Sequence, residues 1–504
     1  MKKCNLVVFL ISTFLLFSCS NREEEYDVSM EEDTGFELTE AEKGLLARAS
    51  RTNNSISIEN AMQEAEQLAN LLDLSGKGLK SGQKREIADI KVVSGITLKT
   101  KSNADDSDLL PDTLAYIFNY ADDGGFALIS ADQRISESVL AYSLSGNLGD
   151  STDNPGLAIF LDNAADRIIY DIKQAEYAKD SLLQVLAEKY GREDLPSTKS
   201  TDPGLERVDM VEVPDGPWET SAIVEPLLPV EWGQREPYND LVKNKKSCGT
   251  IPTGCVAVAA AQIMAYWKHP KKLDNVELDW TSMRVYITDP DRDGAYLPGV
   301  APIDVSAPAE TKYQIAYVME RIGAHTDMEY DCDLSGTNTE DARDYMNRIG
   351  LMGGNEQKWD FNEIIGSLKA GCPVLADGFR TLKYINLFGQ IIGVTKDGHT
   401  WVIDGYLVRK QRMKVIITYY PRPLPPRPGE LPKKELPVRS TTYTYRYSRM
   451  THINWGWNGR DNGFFMEGCF DASKMEFHSN TKSVETSEKN YKFNNKIYPY
   501  IKKR

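Results

Sequence analysis

The sequence predicts an α+β protein, and three stretches carry that reading. From Ile58 the apolar residues Ala61, Met62, Ala65, Leu68, Leu71 and Leu72 return at helical spacing behind Ser57, a helix-capping residue type. TLAYIFNY and FALIS are β-rich runs on either side of Asp122-Asp123-Gly124-Gly125, a hairpin turn, and SVLAYSL adds a third strand. Pro155 then opens a helical pattern through LAIFLDNAADRIIYDI towards Tyr190. Helices and antiparallel strands in this order predict a compact α+β unit over residues 56–195.

The stretch that follows, from residue 191 and including DLPSTKSTDPG, is rich in Ser, Thr, Pro, Asp and Gly. It reads as an exposed linker over residues 196–220, the kind of segment proteases nick. Aromatic content rises beyond it, and residues 221–504 form a second unit. With 504 residues and 41% hydrophobic content, the chain has room for two or three packed domains. Its net charge of −15 argues against nucleic-acid binding by bulk electrostatics.

The N-terminus predicts export. Lys2 and Lys3 precede an apolar run from Leu6 to Phe17 that is short for a membrane span, so residues 1–18 read as a signal peptide. Leu16-Phe17-Ser18-Cys19 resembles a bacterial lipobox, which implies acylation of Cys19, a polar tether over residues 19–55, and a place at the outer membrane or cell surface. An ordinary signal peptide that happens to contain a cysteine is the alternative. Glu23-Glu24-Glu25 resembles a surface-export signal of Gram-negative lipoproteins. Beyond Cys19 the cysteines are Cys248, Cys255, Cys332, Cys372 and Cys469, an odd set that leaves one thiol unpaired within the chain.

Four segments bear chemistry. SCGTIPTGCVAVAAAQIMAYW places Cys255 at the start of an Ala-rich helix, where the positive end of the macrodipole favours thiolate. A cysteine is commonly a small buried hydrophobe, so this segment alone leaves catalysis and structure open. DGHTWVIDG sets His399 at the entrance of a β-prone run; His269, His325 and His478 have no comparable context. In THINWGWNG, strand alternation puts His452 and Asn454 on one face and Ile453 and Trp455 on the other. The Asn454 amide has the chemistry to accept the second N–H of a base, and the Trp455 indole to shield that bond. Upstream, Gln234 of VEWGQREPYN has an amide suited to donating to a developing oxyanion beside the Cys255 N–H.

The order Gln, Cys, His, Asn-Trp resembles the streptopain-type peptidases, a branch of the papain-like cysteine proteases. The resemblance runs over about residues 220–470 through WGQREPYN, GCVAVAAAQIMAYW, GHTWVIDGY and HINWGWNGRDNGFF, with YVMERIGAHTDMEYDCDLSGT and GCPVLADGF between them. FALISADQRISESVLAYSLSGNL resembles the family's propeptide. The resemblance implies a papain-like peptidase domain behind an inhibitory prodomain. It also implies Cys255 as nucleophile, His399 as base, Gln234 at the oxyanion, Asn454 and Trp455 behind the base, and protein or peptide substrates with a hydrophobic residue one place upstream of the residue bearing the scissile carbonyl. Two departures stand out: an insertion over residues 407–450, with arms MKVIITYY and STTYTYRY and a tip PRPLPPRPGELPKK, and a Lys- and Asn-rich tail in place of a glycine-rich loop. The insertion reads as an extended hairpin that lines or overhangs the cleft. A transglutaminase-like acyltransferase and an inactive surface adhesin are the alternatives on the same scaffold. A thiol redox role lacks a C-x-x-C pair, and no metal site, phosphate loop or cofactor fingerprint is found in the sequence.

Overall fold

The computed structural model describes residues 40–50, 53–73, 85–94, 110–135, 137–190, 205–242, 248–284, 307–385, 391–421, 438–471 and 495–504. The signal segment, Cys19, the acidic run after it, the insertion's proline-rich tip and residues 472–494 of the tail lie outside these.

The N-terminal half is α+β, as its patterns require. Helix α2 (Ile58–Asp73) buries Ala61, Ala65, Leu68 and Ala69. This stripe packs on Tyr116, Phe118 and Tyr120 of β2 (Thr113–Tyr120), and on Ala127 and Ile129 of β3 (Phe126–Ser130). Strand β1 (Ile87–Ser94) flanks β2, and β4 (Val139–Ser143) flanks β3, all antiparallel. The β2–β3 turn is the expected one; Gly125 has φ +99° and its α-carbon faces the Ser143 carbonyl, a site with no space for a side chain. Helix α3 (Pro155–Tyr190) lays Leu157, Phe160, Ala164, Ile168 and Ile172 on the opposite face of this sheet.

That sheet does not end where the N-terminal half ends. β4 pairs with β13 (Gly463–Met466) through Phe464↔Tyr142 and Phe465↔Ala141. Eleven strands thus share one sheet, with path β1-β2-β3-β4-β13-β12-β11-β10-β14-β9 and β5 attached to β11. The remaining members are β5 (Leu205–Val224), β9 (Gln357–Lys358), β10 (Val374–Ile385), β11 (Ile391–Pro421), β12 (Val438–Asn454) and β14 (Lys496–Tyr498). Leu38–Arg504 is one compact unit, because the two halves share a sheet and the core beneath α3.

The rest of the C-terminal half is helical. Helix α4 (Cys255–Trp267) runs through its core with α5 (Trp280–Met283), α6 (Ala309–His325) and α7 (Thr339–Arg348) around it; α8 (Phe361–Lys369) lies against β10 and β11. Two-residue pairs, β6 (Lys272–Leu273) with β7 (Val276–Glu277) and β8 (Leu351–Met352) with β15 (Lys502–Lys503), close the periphery.

Two segments differ from the sequence reading. Much of the expected linker, from Leu205 onward, is β5, paired with β11 from Tyr406↔Val224 to Pro421↔Leu205. Met210 and Glu212 of this stretch are buried while Val211 between them is exposed, the alternation of a strand, and the Pro and Gly residues that read as linker sit where the register shifts between Gln411 and Met413. Part of the expected tether is helix α1 (Glu40–Ala49), which buries Leu46, Ala47 and Ala49 against α3, β5 and β12. Glu212, itself buried, ties Arg48 of α1 to Arg446 of the insertion. The insertion's arms pair as the expected hairpin, Leu407↔Met450 to Tyr419↔Val438, with β5 along one side and α1 packed against it.

Candidate active site

Helix α4 is buried from Cys255 to Ala265, and its run of alanines lets neighbouring elements approach closely. Cys255 is its first residue. The cap before it, Gly254, has φ +91°, and a Cβ there would stand 2.9 Å from both Met328 Sδ and the Ser335 carbonyl. The loop that carries those two groups is tied to the segment before the helix by a disulfide between Cys248 and Cys332. Cys255, Cys372 and Cys469 are free.

Strand β11 brings His399 to Cys255. The His399 Nε2 lies 2.8 Å from the Trp455 carbonyl, an acceptor only, so the ring proton is on Nε2. Nδ1 is buried without a hydrogen-bond partner and is open to take a proton; once it holds one, the imidazolium acts on the Cys255 sulfur by charge and side-chain contact. Burial pushes the Cys255 thiol up, but the His399 charge and contact, together with the Thr400 N–H and hydroxyl, outweigh it and leave the thiol below its ordinary value. Burial raises the other two free thiols, Cys372 and Cys469. Among the free cysteines of the described residues, only Cys255 favours thiolate.

The Gln234 segment joins the nucleophile's approach through its carbonyl, which accepts the Thr253 N–H at 2.9 Å. The side-chain Nε2 of Gln234 is a buried donor with no partner, a state that costs free energy unless a ligand's oxygen fills it. Trp401, Trp455 and Trp457 surround the imidazole, each with its ring centre 6.3 Å away. Trp455 is fully buried and donates Nε1–H to the Asp461 carbonyl at 3.1 Å.

Asn454 is close to the site but does not hold the base. Its amide donates to the Val230 carbonyl at 3.1 Å, and its Oδ1 accepts from Gln262 Nε2 at 3.3 Å and from the Gly456 N–H at 3.0 Å. Gln262 also accepts the Trp232 N–H at 3.0 Å. The Gln262–Asn454 pair thereby fastens α4, β12 and the segment leading to Gln234. Sequence reasoning missed Gln262, although a lone amide inside a buried Ala-rich helix is a signal that it must find partners. It also missed a buried pair beneath the site: His452 donates from Nδ1 to Asp404 at 2.6 Å, and Asp404 accepts the Leu228 N–H at 3.0 Å.

The N-terminal half reaches this site directly. A Cβ on Gly156, in the first turn of α3, would stand 2.5 Å from His399 Cδ2 and 2.7 Å from Trp455 Cζ3. Asn154 caps α3, accepting the Gly156 N–H at 3.1 Å and the Leu157 N–H at 3.2 Å, and donates to the buried Asp461 carboxyl at 3.2 Å. Ser145 donates to the Gly459 carbonyl at 2.5 Å. The loop after Trp455 is therefore held by the first half of the chain.

Residues 232–465 match the model of the Peptidase C10 family, and residues 53–168 match that of the Spi protease inhibitor. The chain is 29% identical over 161 residues to the thiol protease/hemagglutinin PrtT of Porphyromonas gingivalis, a match covering 32% of this chain and 16% of that protein. It is also similar to two Prevotella intermedia structures at 20% identity. A prointerpain A fragment aligns with 77% of this chain and 96% of its own at a TM-score of 0.41, and active interpain A cysteine protease with 55% and 94% at 0.30.

Proposed function

We propose that the chain is a cysteine endopeptidase made as a zymogen, a reading supported by the match of residues 232–465 to the model of the Peptidase C10 family. The observation that carries the reading is the contrast among the three free thiols: Cys255, at a helix start and beside an imidazole with an open Nδ1, is the one that favours thiolate. In the mechanism, His399 Nδ1 takes the Cys255 proton and the thiolate attacks the scissile carbonyl. Gln234 Nε2 and the Cys255 N–H receive the oxyanion, a contribution of about 3–4 kcal/mol. His399 then protonates the leaving amine, a thioester remains on Cys255, and water activated by His399 releases it. The Trp455 carbonyl keeps the imidazole in one tautomer through these steps.

The inhibitor-type segment is the chain's own latch in this reading. Its support is the contact of Gly156 with His399 and the grip of Asn154 and Ser145 on the 459–461 loop. Cleavage within residues 191–204, ahead of β5, would release it. The Cys19 lipobox supports export and membrane attachment, with proteins or peptides outside the cell as substrates. The test is a peptidyl electrophile applied to matured protein, read by mass spectrometry of the Cys255 peptide. Stoichiometric labelling of Cys255 with loss of peptide hydrolysis is expected; failure to label would contradict the proposal.

A further inference from the structure

Helix α1 (Glu40–Ala49) lies ahead of residues 53–168, the inhibitor-type match, and β5 begins only at Leu205. The two therefore stand on opposite sides of a cut within 191–204, yet α1 packs against β5 and both arms of the insertion. The sheet those strands form is two-faced. Met210, Met413, Val415 and Ile417 are buried, whereas Val211, Tyr443, Tyr445 and Tyr447 of the other face are exposed. A carboxylate sits where α1 meets the buried face. The Glu212 side chain is wholly buried; Arg48 of α1 donates from Nη1 to its Oε1 at 3.3 Å, and Arg446 of β12 donates from Nε to its Oε2 at 2.9 Å. Gly44 precedes Arg48 by one helical turn and so shares its side of α1. A Cβ on Gly44 would stand 3.3 Å from Glu212 Oε1 and 3.4 Å from Thr444 Cγ2. The helix backbone thus lies directly on the strands.

A uniformly apolar face would accept any amphipathic helix. A buried carboxylate penalises a helix that brings no cation to it, and the close approach at Gly44 penalises one with a bulky residue there. We propose that β5 and the insertion form a docking site for a helix that carries an arginine and, one turn earlier, a glycine, and that α1 is its occupant. When the chain is cut within 191–204, Glu212, Thr444 and Arg446 stay with the peptidase half and α1 stays with the other. The site then holds the severed N-terminal segment in place, and one cut does not free the peptidase from the segment that carries Cys19. The role in retention rests on the zymogen reading; the docking site itself uses no residue of the catalytic site.

The test uses the full-length Cys255→Ala chain with a recognition site for a sequence-specific protease placed within residues 191–204, so that nicking needs no activity of its own. The nicked protein is diluted from micromolar to nanomolar concentration, and release of the N-terminal fragment is followed by size-exclusion chromatography. Gly44→Leu, which favours a helix more than glycine does, should speed release about tenfold or more. Arg48→Ala should speed it about tenfold, and so should Glu212→Gln. Arg48→Ala added to Glu212→Gln should change release by under about twofold, because the pair is already broken. Tyr445→Ala, on the opposite face, should leave release as it is. Release equal in the native, Gly44→Leu and Arg48→Ala chains would overturn the docking site, as would an Arg48→Ala effect undiminished in the Glu212→Gln chain. A chain with Cys255 intact that shows these shifts, yet hydrolyses peptides equally before and after the nick, would sink the zymogen reading and keep the docking site.

Discussion

Gly156, one residue into the long helix of the N-terminal half, lies against the imidazole of His399, so close that a methyl on its α-carbon would stand 2.5 Å from Cδ2. A residue far from the catalytic segments in sequence thus touches the base of the site. The neighbours on the other side are rings of Trp455, fully buried, so a larger residue has no space to take. The contact joins the two halves of the chain at the point where chemistry is expected.

Gly156→Ala should loosen the latch. Overpacking of this kind costs about 1–3 kcal/mol, which corresponds to roughly fivefold to a hundredfold more of the open form. Unprocessed Gly156→Ala chain should therefore self-process and hydrolyse peptides faster by about that factor, while the matured enzyme is unchanged. A continuous peptidase assay started on purified full-length protein measures both. Latency equal to that of the native chain would show that Gly156 is not part of the restraint.

The same interface should respond to pH. Glu137, just ahead of β4, is buried and accepts the Arg449 N–H of β12 at 2.7 Å. Burial, aided by the nearby Glu467 charge, raises its carboxyl from 4.5 to about 7, against the pull of Arg449 and Arg167. A raised carboxyl binds its proton more tightly in the assembled state. Its stabilisation is therefore fully present below the usual carboxylate range and lost as pH rises through about 7, a change of about 3 kcal/mol. Urea midpoints of an inactive full-length chain should fall between pH 4.5 and 7, and Glu137→Gln should flatten that slope. An unchanged slope in the variant would refute the assignment.

Asn454→Ala should act on stability before chemistry. Its side chain satisfies Val230, Gln262 and Gly456, and the base is held instead by the Trp455 carbonyl. Losing these bonds costs about 1–3 kcal/mol. The unfolding midpoint should drop, with the pH profile of kcat/KM unmoved and its value reduced less than tenfold. A shift of the base's titration in that profile would return Asn454 to the role the sequence suggests.

Much of this site is legible in the sequence because its pieces are local. Cys255 at a helix start and a β-prone run carrying His399 follow from composition and period alone, and the β2–β3 hairpin from its Asp-Asp-Gly-Gly turn. His399 is not at the strand's entrance, however, because β11 begins at Ile391 and pairs with β10 ahead of it. What stays hidden is settled by long-range pairing. Asn454 and Trp455 are adjacent in sequence, and no periodicity tells whether a side-chain amide or a backbone carbonyl will meet the imidazole. The Pro and Gly residues of 214–217 read as a linker, yet a bulge accommodates them inside a paired strand. Leu46 and Ala47 look like scattered apolar residues in a tether until α3 and β5 cover them. Gly156 carries no sequence signal, because its meaning lies entirely in what stands opposite.

The central claim is that Cys255 is the nucleophile of a self-maturing peptidase. It is tested by expressing the full-length chain as native protein and as Cys255→Ala, and following peptide hydrolysis and cleavage ahead of residue 205 over time. The account predicts that the variant stays at full length and hydrolyses nothing above the uncatalysed rate, while remaining folded and cleavable by added native enzyme. Peptide hydrolysis that persists in the Cys255→Ala chain would contradict it.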